Sequence, residues 1–351
     1  MRDNSAFLEW AVRNKFFVGF NFLRPGQAHL KQAVITVFFA GNTNDYHDFN
    51  QKITAIKQRE SAQKKIESLR LILTSPSAAT VKAAFFVNPW QKTILSAQSL
   101  VFEAALASLT AQQRQTFTTW MEGNYKRFRN SVSAPRFAMS LSTAVCPYCD
   151  KAFLDVGKQF YGELDHYLDK ATHSYYALNL YNFVPVCGVC NRKKSKTKLN
   201  HFHPAHDTLD SVFKFYLSAQ DKQDVLLNYH PVNVKICQRS LAGKEKHLKE
   251  LNKTFALDDR YEGMAAVVDY LAQLKRIYTP EWMKELQNTY GITYTGEQLR
   301  QLLLGQLHVR NPTIRLQPLT KLIDDLVKEL DVFNDASSTA ARQRPLRSSG
   351  A

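Results

Sequence analysis

Long apolar runs and abundant cysteine are both missing from this sequence. No stretch approaches about eighteen uninterrupted apolar residues, so we expect no membrane-spanning helix and no membrane partner. The first residues, MRDNSAFLEW, are charged and lack the apolar core of a secretory signal, which predicts a cytoplasmic protein. Only five cysteines occur among 351 residues. Cysteines that lie close together in so small a set are therefore candidates for a shared metal or redox site.

Acidic side chains are scarce relative to basic ones. Forty-six Lys and Arg residues face thirty-one Asp and Glu residues, which gives a net charge of +15. A surplus of this size favours a polyanionic partner, because each cation placed on a phosphate releases counterions. A basic protein that binds no nucleic acid is the alternative. Hydrophobic residues make up 44% of the chain, enough for a buried core.

Helical patterns dominate the first part of the chain. The run VITVFF (34–39) predicts a buried strand, and the apolar spacing over 51–73 predicts a helix. An Asn-Pro pair predicts the start of a helix over 89–108. Thr110 with Gln113 fits a capping box that opens the next helix.

The chain divides into four segments by composition. We expect a mainly helical region with some strand over 1–135 and a compact cysteine-containing insert over 136–210. Helical patterns return over 211–334. The small, basic residues of 335–351 predict a disordered tail.

Four of the five cysteines form two matching pairs. Cys146-x-x-Cys149 is followed, after an interval, by Cys187-x-x-Cys190, and Cys237 is left over. Paired motifs of this spacing suit a tetrahedral zinc site, because each tight turn presents two thiolates. Such a site predicts structural Zn²⁺.

Disulfides, a redox pair and a chance arrangement account less well for these cysteines. Two disulfides would require an oxidising compartment. A redox pair would require one C-x-x-C motif in a βαβ context, and that context is missing. Four inert buried cysteines would produce this double spacing only by chance.

The segment between the pairs carries its own pattern. GELDHYLDK places Asp165 and His166 in a strand-like run, where adjacent residues point to opposite faces unless the strand kinks. A tyrosine-rich loop and a second short apolar run, beginning at Asn182, follow. Asn191 comes directly after the second cysteine pair. The pattern predicts strand, loop, strand and the start of a helix, held together by zinc.

This order of residues resembles a known family. The string C-x-x-C … L-D-H … N-F-V-P-V-C-x-x-C-N-R-K-K, over about 146–198, is similar to the four-cysteine HNH endonucleases, also called ββα-metal nucleases. The helical flanks resemble those of larger HNH proteins, including nucleases of bacterial anti-phage and retron-associated systems. The fold class implied is a mainly α protein with a small zinc-stapled ββα-metal module.

The resemblance implies a role for each motif residue. Asp165 matches the metal-binding acid, and His166 matches the general base that activates water. Asn182 matches the residue that fixes the loop and orients the base. Asn191 matches a second ligand of a catalytic divalent ion, Mg²⁺ or another. Outside this context, Asp165 and His166 would be an ordinary surface pair and Asn191 a helix N-cap.

The sequence departs from the family at two positions. Asp169 stands where many relatives have proline. Ser195 stands where some relatives have a second histidine ligand, so we expect two protein ligands for the catalytic ion. His201, His203 and His206 are weaker candidates for a third.

A basic run follows the second cysteine pair. We expect its members to contact phosphates, which would position a nucleic acid without reading its sequence; the alternative is a solvated helix face. The run consists of Arg192, Lys193, Lys194, Lys196 and Lys198.

Together these features predict a metal-dependent HNH endonuclease, with DNA ahead of RNA as the substrate. An RNA-cleaving effector with the same site is one alternative. A zinc-stabilised nucleic-acid-binding module without activity is another. The resemblance also suggests a partner protein from a defence system, such as an ATPase.

Overall fold

The computed structural model describes residues 4–20, 26–56, 60–91, 94–95, 97–141, 144–155, 160–227, 234–304 and 317–333. The protein is mainly helical, as predicted. It forms two compact units, Met1–Tyr148 with Ala152–Asp207, and Cys149–Lys151 with Thr208–Ala351. The predicted tail over 335–351 lies outside the described residues. Among those that are described, no helix has the length and apolarity required to cross a membrane.

The first unit combines helices with two short antiparallel hairpins. Its helices are α1 (Ser5–Arg13), α2 (Ala28–Phe38), α3 (Thr43–Ala55), α4 (Ala62–Ile72), α5 (Ala79–Phe86), α6 (Ala97–Ser108), α7 (Ala111–Arg129), α8 (Ser133–Ser140) and α9 (Gly188–Lys194). Its strands are β1 (Trp90–Gln91), β2 (Ile94–Leu95), β3 (Glu163–His166) and β4 (Phe183–Val186). β1 pairs with β2 and β3 pairs with β4.

The core of the first unit is a cluster of aromatic rings. Phe7, Trp10, Phe20, Phe38, Phe85, Phe117 and Phe128 are all fully buried. Phe128 of α7 stacks on Phe183 of β4, with ring centroids 5.9 Å apart and planes at 13°. Stacked rings of this kind add to the stabilisation that burial provides. The contact packs helix α7 on the β3–β4 hairpin.

The strand predicted at VITVFF (34–39) is wrong, because these residues belong mostly to helix α2. An uninterrupted apolar run does not by itself distinguish a buried strand from a buried helix. The buried residues of α2 begin earlier, at Leu30, and Leu30, Ala33, Val34, Val37 and Phe38 share one face, with Ile35 also buried beside it. This spacing of three and four residues is helical.

Two predicted helices have different limits. The helix predicted over 89–108 begins only at Ala97, after the β1–β2 hairpin; Asn-Pro favours a turn as well as a helix start. The helical pattern over 51–73 divides into α3 and α4. Ser61 explains the second start, since its hydroxyl accepts a hydrogen bond from the Lys64 backbone N–H as an N-cap.

Helix α7 confirms the predicted capping box. The Thr110 side chain accepts from the Gln113 N–H, and the Gln113 side chain accepts from the Thr110 N–H. These bonds satisfy two backbone groups at the helix start. Phe117, Met121 and Phe128 form its buried stripe, which anchors the helix in the core.

The second unit contains one antiparallel pair of strands and seven helices in the part of the chain that the structure describes. The strands β5 (Phe213–Leu217) and β6 (Ile236–Ser240) pair antiparallel. The helices are α10 (Ala219–Leu227), α11 (Glu245–Phe255), α12 (Leu257–Glu262), α13 (Ala265–Ile277), α14 (Pro280–Tyr290), α15 (Gly296–Leu304) and α16 (Thr320–Glu329). Alternate residues of β5 are buried, which is the pattern of a strand with one face on a core.

Candidate functional site

The four paired cysteines lie together. Their Sγ atoms are all within 4.8 Å of one another, and all four residues are buried. None of the five cysteines forms a disulfide. Zinc–sulfur bonds of about 2.3 Å in a tetrahedron place thiolates about 3.8 Å apart, so the cluster is compatible with a structural zinc site. Cys237, in β6, is not part of it.

The local backbone explains how each cysteine pair is presented. The first pair lies in a tight turn, in which the Cys146 N–H donates to the Ala152 carbonyl oxygen at 3.0 Å. Asp150 in this turn has a φ of 52°, the left-handed conformation that reverses the chain. In the second pair, Cys187 is the N-cap of α9, and its Sγ accepts from the Cys190 N–H at 3.5 Å.

Two antiparallel strands and a helix follow one another between and after the cysteine pairs. In the β3–β4 hairpin, Asp165 faces Val184 and His166 faces Phe183. α9 begins two residues after β4 ends. The side chains of Glu163 and Asp165 contact α9, while the His166 ring contacts α7 and β4. The side chains of Asp165 and His166 therefore contact different elements, as strand alternation predicts for adjacent residues.

Asp165 is buried inside a hydrogen-bonded network. Its Oδ2 accepts from the Tyr148 hydroxyl at 2.9 Å, and its Oδ1 accepts from the Lys194 ammonium at 3.2 Å. Burial raises the pKa of the Asp165 carboxyl, and the nearby Lys194 charge opposes that rise. Burial also raises the pKa of Tyr148 well above its ordinary value, so the phenol stays protonated and donates. The two donors fix the carboxylate in one orientation.

Lys194 differs from the other residues of its basic run. Its side chain is fully buried, and its ammonium also donates to the His166 carbonyl oxygen at 2.9 Å. The prediction that Lys194 contacts phosphate therefore needs correction, because helix α9 turns this residue inward toward β3. The remaining four members of the run, Arg192, Lys193, Lys196 and Lys198, are exposed.

His166 is buried, with a defined tautomer. Its Nε2 lies 2.9 Å from the Ala177 carbonyl oxygen. Because a carbonyl oxygen only accepts, Nε2 carries the proton and Nδ1 keeps a lone pair. Burial lowers the pKa of His166 to about 3, so the ring is neutral at physiological pH. A neutral imidazole with an unprotonated Nδ1 has the form required of a general base.

Asn182 holds the loop that contains this carbonyl. Its Oδ1 accepts from the Leu168 N–H at 2.7 Å, and its Nδ2 donates to the carbonyl oxygens of Leu168 and Tyr176 at 3.0 and 3.2 Å. The side chain is fully buried, so all three bonds are shielded from water. Asn182 thereby ties both the start of the loop, at Leu168, and the residue directly before Ala177, the partner of His166.

Asn191 and Glu163 form a second polar contact next to this network. The Asn191 amide donates to a Glu163 carboxylate oxygen. Glu163 was not identified from the sequence, although it lies two residues before Asp165 in a strand. Residues two apart in a strand share a face, so this spacing was the signal that could have found it.

One cleft of about 750 Å³ is bordered by Asp165, His166 and Asn191. The structure thus brings three of the four predicted catalytic residues to one space, and the fourth, Asn182, supports its loop. The ionisable side chains around them are mixed: the cations are Arg129, Lys170, Arg192 and Lys196, and the carboxylates are Glu163, Asp165 and Asp169. Carboxylate oxygens and cations therefore occur side by side in the cleft.

The alternative ligands are placed elsewhere. His201, His203 and His206 are not among the residues that line this cleft. Ser195 does line it, at the end of α9, with a φ of 46°. Asp169, the substitute for proline, also lines it and accepts hydrogen bonds from the next residues, which closes a turn after β3.

The tyrosines of this segment divide between core and surface. Tyr167, Tyr175 and Tyr176 are fully buried, which excludes them from stacking on a base in this conformation. Tyr161 is 69% exposed and borders the cleft. Of these four, it alone has the position that base stacking requires.

Comparisons with protein families, with curated proteins and with solved structures find no match to the chain. The likeness to HNH endonucleases therefore depends on the residues of the motif.

Proposed function

We propose that this protein is a metal-dependent endonuclease of the HNH type that hydrolyses phosphodiester bonds in DNA. The observation that carries the proposal is a single cleft bordered by Asp165, Asn191 and a neutral His166 whose Nε2 is bound to a backbone carbonyl. Phosphodiester hydrolysis requires a base for water and stabilisation of charge on phosphate, and this set of groups offers both.

His166 acts as the general base in this proposal. Nδ1 takes a proton from a water molecule, the water oxygen bonds to phosphorus, and the ester bond to the leaving oxygen breaks. The imidazolium that forms keeps its bond from Nε2 to the Ala177 carbonyl oxygen, which stabilises the charge. Asn182 holds that carbonyl in place through the loop.

The oxygen donors of the cleft fit a hard divalent ion such as Mg²⁺. Asp165 and Glu163 offer carboxylate oxygens, and Asn191 offers an amide oxygen while its nitrogen is bound to Glu163. When bound, such an ion would stabilise negative charge on the phosphate and on the leaving oxygen. Tyr148 and Lys194 hold Asp165 in a fixed orientation for that contact. On the four cysteines we propose structural zinc, which takes no part in the reaction.

The exposed cations beside the cleft would hold the substrate backbone. Arg192 and Lys196 border the cleft, and Lys193 and Lys198 are exposed on the same short segment. Such contacts fix position and register on a phosphate backbone but carry no base specificity. We therefore expect cleavage with little sequence preference.

A nuclease assay tests this proposal directly. The full chain is incubated with supercoiled plasmid DNA and with total RNA, with Mg²⁺ or without added divalent ions, at one salt concentration. We expect Mg²⁺-dependent cleavage of the plasmid, and His166→Ala should reduce the rate by about 10²- to 10⁴-fold. His29→Ala, at an exposed histidine outside the cleft, should match the wild type. Cleavage that survives His166→Ala would overturn the assignment of the base.

The same assay separates the two alternatives. Cleavage of RNA but not of plasmid would favour an RNA-directed effector with this site. Binding of DNA without cleavage of either substrate would favour a zinc-stabilised binding module. Elemental analysis of the purified protein should find about one zinc per chain, and its absence would remove the proposed role of the cysteines.

The helical flanks are proposed to bind a partner from a defence system, such as an ATPase. Only the resemblance supports this partner. An assay repeated with and without the candidate ATPase would show a rate change if the partner activates the nuclease, and an identical rate would count against it.

A further inference from the structure

Helix α7 reaches the cleft from outside the strand–strand–helix segment. Its Tyr125 borders the cleft, and its ring lies with its centroid 4.4 Å from the His166 ring, at an interplanar angle of 69°. The Tyr125 hydroxyl donates to the Leu164 carbonyl oxygen of β3 at 3.1 Å. One residue therefore contacts both the proposed base and the strand that carries it.

The pairing of β3 with β4 explains why the Leu164 carbonyl points toward α7. Leu164 faces Pro185 in the β3–β4 register, and proline has no N–H to donate. Leu164 therefore occupies a non-hydrogen-bonded position, where N–H and C=O point away from the partner strand. The Gly162 carbonyl, two residues earlier, points the same way. Both oxygens lie on the edge of β3 that β4 does not cover.

Two residues of α7 satisfy these two carbonyls. Tyr125 binds Leu164, and Arg129, one helical turn later, donates to the Gly162 oxygen at 2.7 Å. Four helical residues span about 6 Å, and two strand residues span about 6.6 Å, so the spacings match. Helix α7 thus covers the free edge of β3 over the residues that directly precede His166.

The His166 ring needs more than its one hydrogen bond to be fixed. A single bond from Nε2 to a carbonyl leaves the ring free to turn about that bond. The rings of Tyr125 and Phe183, at 4.4 and 5.2 Å, lie edge-on to it and restrict that rotation. Lys170 holds Tyr125 in turn, with its ammonium 5.5 Å from the ring centroid.

We propose that Tyr125 is a positioning residue for His166: its hydroxyl bonds the β3 backbone at Leu164, two residues before the histidine, and its ring fixes the plane of the imidazole. This inference rests on the proposed nuclease function, and it assigns a task to a helix of the flanking region. Tyr125 touches neither water nor phosphate in this role; it acts through His166 and through the Leu164 carbonyl.

Two substitutions separate the ring from the hydroxyl. Tyr125→Leu removes both, and kcat should fall about 100-fold while KM changes less than about 2-fold. Tyr125→Phe keeps the ring and should recover kcat to within about 5-fold of the wild type. Tyr270→Leu, which removes another tyrosine bound to a backbone carbonyl, should leave both constants unchanged. A wild-type kcat in Tyr125→Leu, or a change confined to KM, would overturn the proposal.

A measurement independent of activity distinguishes this inference from the nuclease proposal. In protein labelled at its histidines, the His166 ring resonances, assigned with His166→Gln, should report the ring current of Tyr125. They should move in Tyr125→Leu and stay in place in Tyr125→Phe. Unchanged resonances in Tyr125→Leu would refute the positioning contact even if that variant were too unstable for kinetics. A wild-type protein that cleaves nothing, with the resonances moving as expected, would instead refute the nuclease function alone.

Discussion

The four-cysteine cluster and the cleft are built from overlapping stretches of chain in different ways. The cluster uses four identical side chains, presented by one tight turn and by the start of helix α9. The cleft takes Asp165 and His166 from a strand and Asn191 from a helix, and it takes Tyr125 from a helix some forty residues earlier. The comparison teaches that a cysteine cluster of this kind depends on local spacing, whereas the cleft depends on tertiary packing.

Replacing one cysteine of the four-cysteine cluster should have the largest effect on stability. Cys187→Ser should abolish zinc binding, and structural zinc contributes on the order of 10 kcal/mol to the folding of small metal-stabilised segments. Backbone amides of β3 and β4 should then lose protection from hydrogen exchange, because Cys187 directly follows β4, Cys190 lies in α9, and β4 pairs with β3. Cys237→Ser is the matched control and should keep both zinc and protection. Full protection in Cys187→Ser would show that the segment folds without its metal.

The second prediction concerns the buried ion pair of the cleft. Lys194→Met leaves the Asp165 carboxylate buried without its cation and should lower the free energy of unfolding by about 3–5 kcal/mol. Lys193→Met, the exposed neighbour, should change it by less than about 0.5 kcal/mol. Urea denaturation measures both.

A double variant sharpens this result. Asp165→Asn combined with Lys194→Met removes both charges and should recover part of the lost stability, since replacing a buried pair is less harmful than breaking it. Equal stabilities of Lys194→Met and Lys193→Met would mean that Lys194 is exposed in solution, as the sequence alone suggested.

Much of the site could be predicted because its chemistry is local. Two C-x-x-C pairs predicted the cluster, and strand alternation predicted that Asp165 and His166 point to opposite faces. Lys194 was wrongly predicted to contact phosphate, because Arg192, Lys193 and Lys194 are consecutive cations that the sequence alone does not distinguish. Only the phase of α9 against β3 selects the one that turns inward, and no local pattern fixes that phase.

Other features had no usable local signal. Tyr125 is an ordinary aromatic residue of α7 until the fold places its ring on His166. The strand predicted over 34–39 failed for a related reason, because a short apolar run carries no period of its own. Most features that the sequence analysis missed are therefore contacts between residues that are far apart in the sequence.

The third prediction uses the burial of His166. Its folded pKa is about 3 and its unfolded pKa is 6.5, so below pH 6.5 the unfolded state binds a proton that the folded state does not. The stability from this group is complete above pH 6.5 and is lost as the pH falls toward 3. Between pH 7.5 and 5.5 the loss should be about 1.4 kcal/mol. His166→Gln should remove that part of the slope in urea denaturation, and His29→Gln should keep it.

The smallest effect is expected at the exposed cations. Arg192→Ala should change stability by less than about 0.5 kcal/mol, because the side chain lies on the surface. In a His166→Ala background, however, it should weaken DNA binding and reduce the slope of log Kd against log salt by about 1, the contribution of one phosphate contact. Lys246→Ala, an exposed cation of α11, should leave the slope unchanged. An unchanged slope in Arg192→Ala would place the nucleic acid on another face and break the link between the cleft and the basic run.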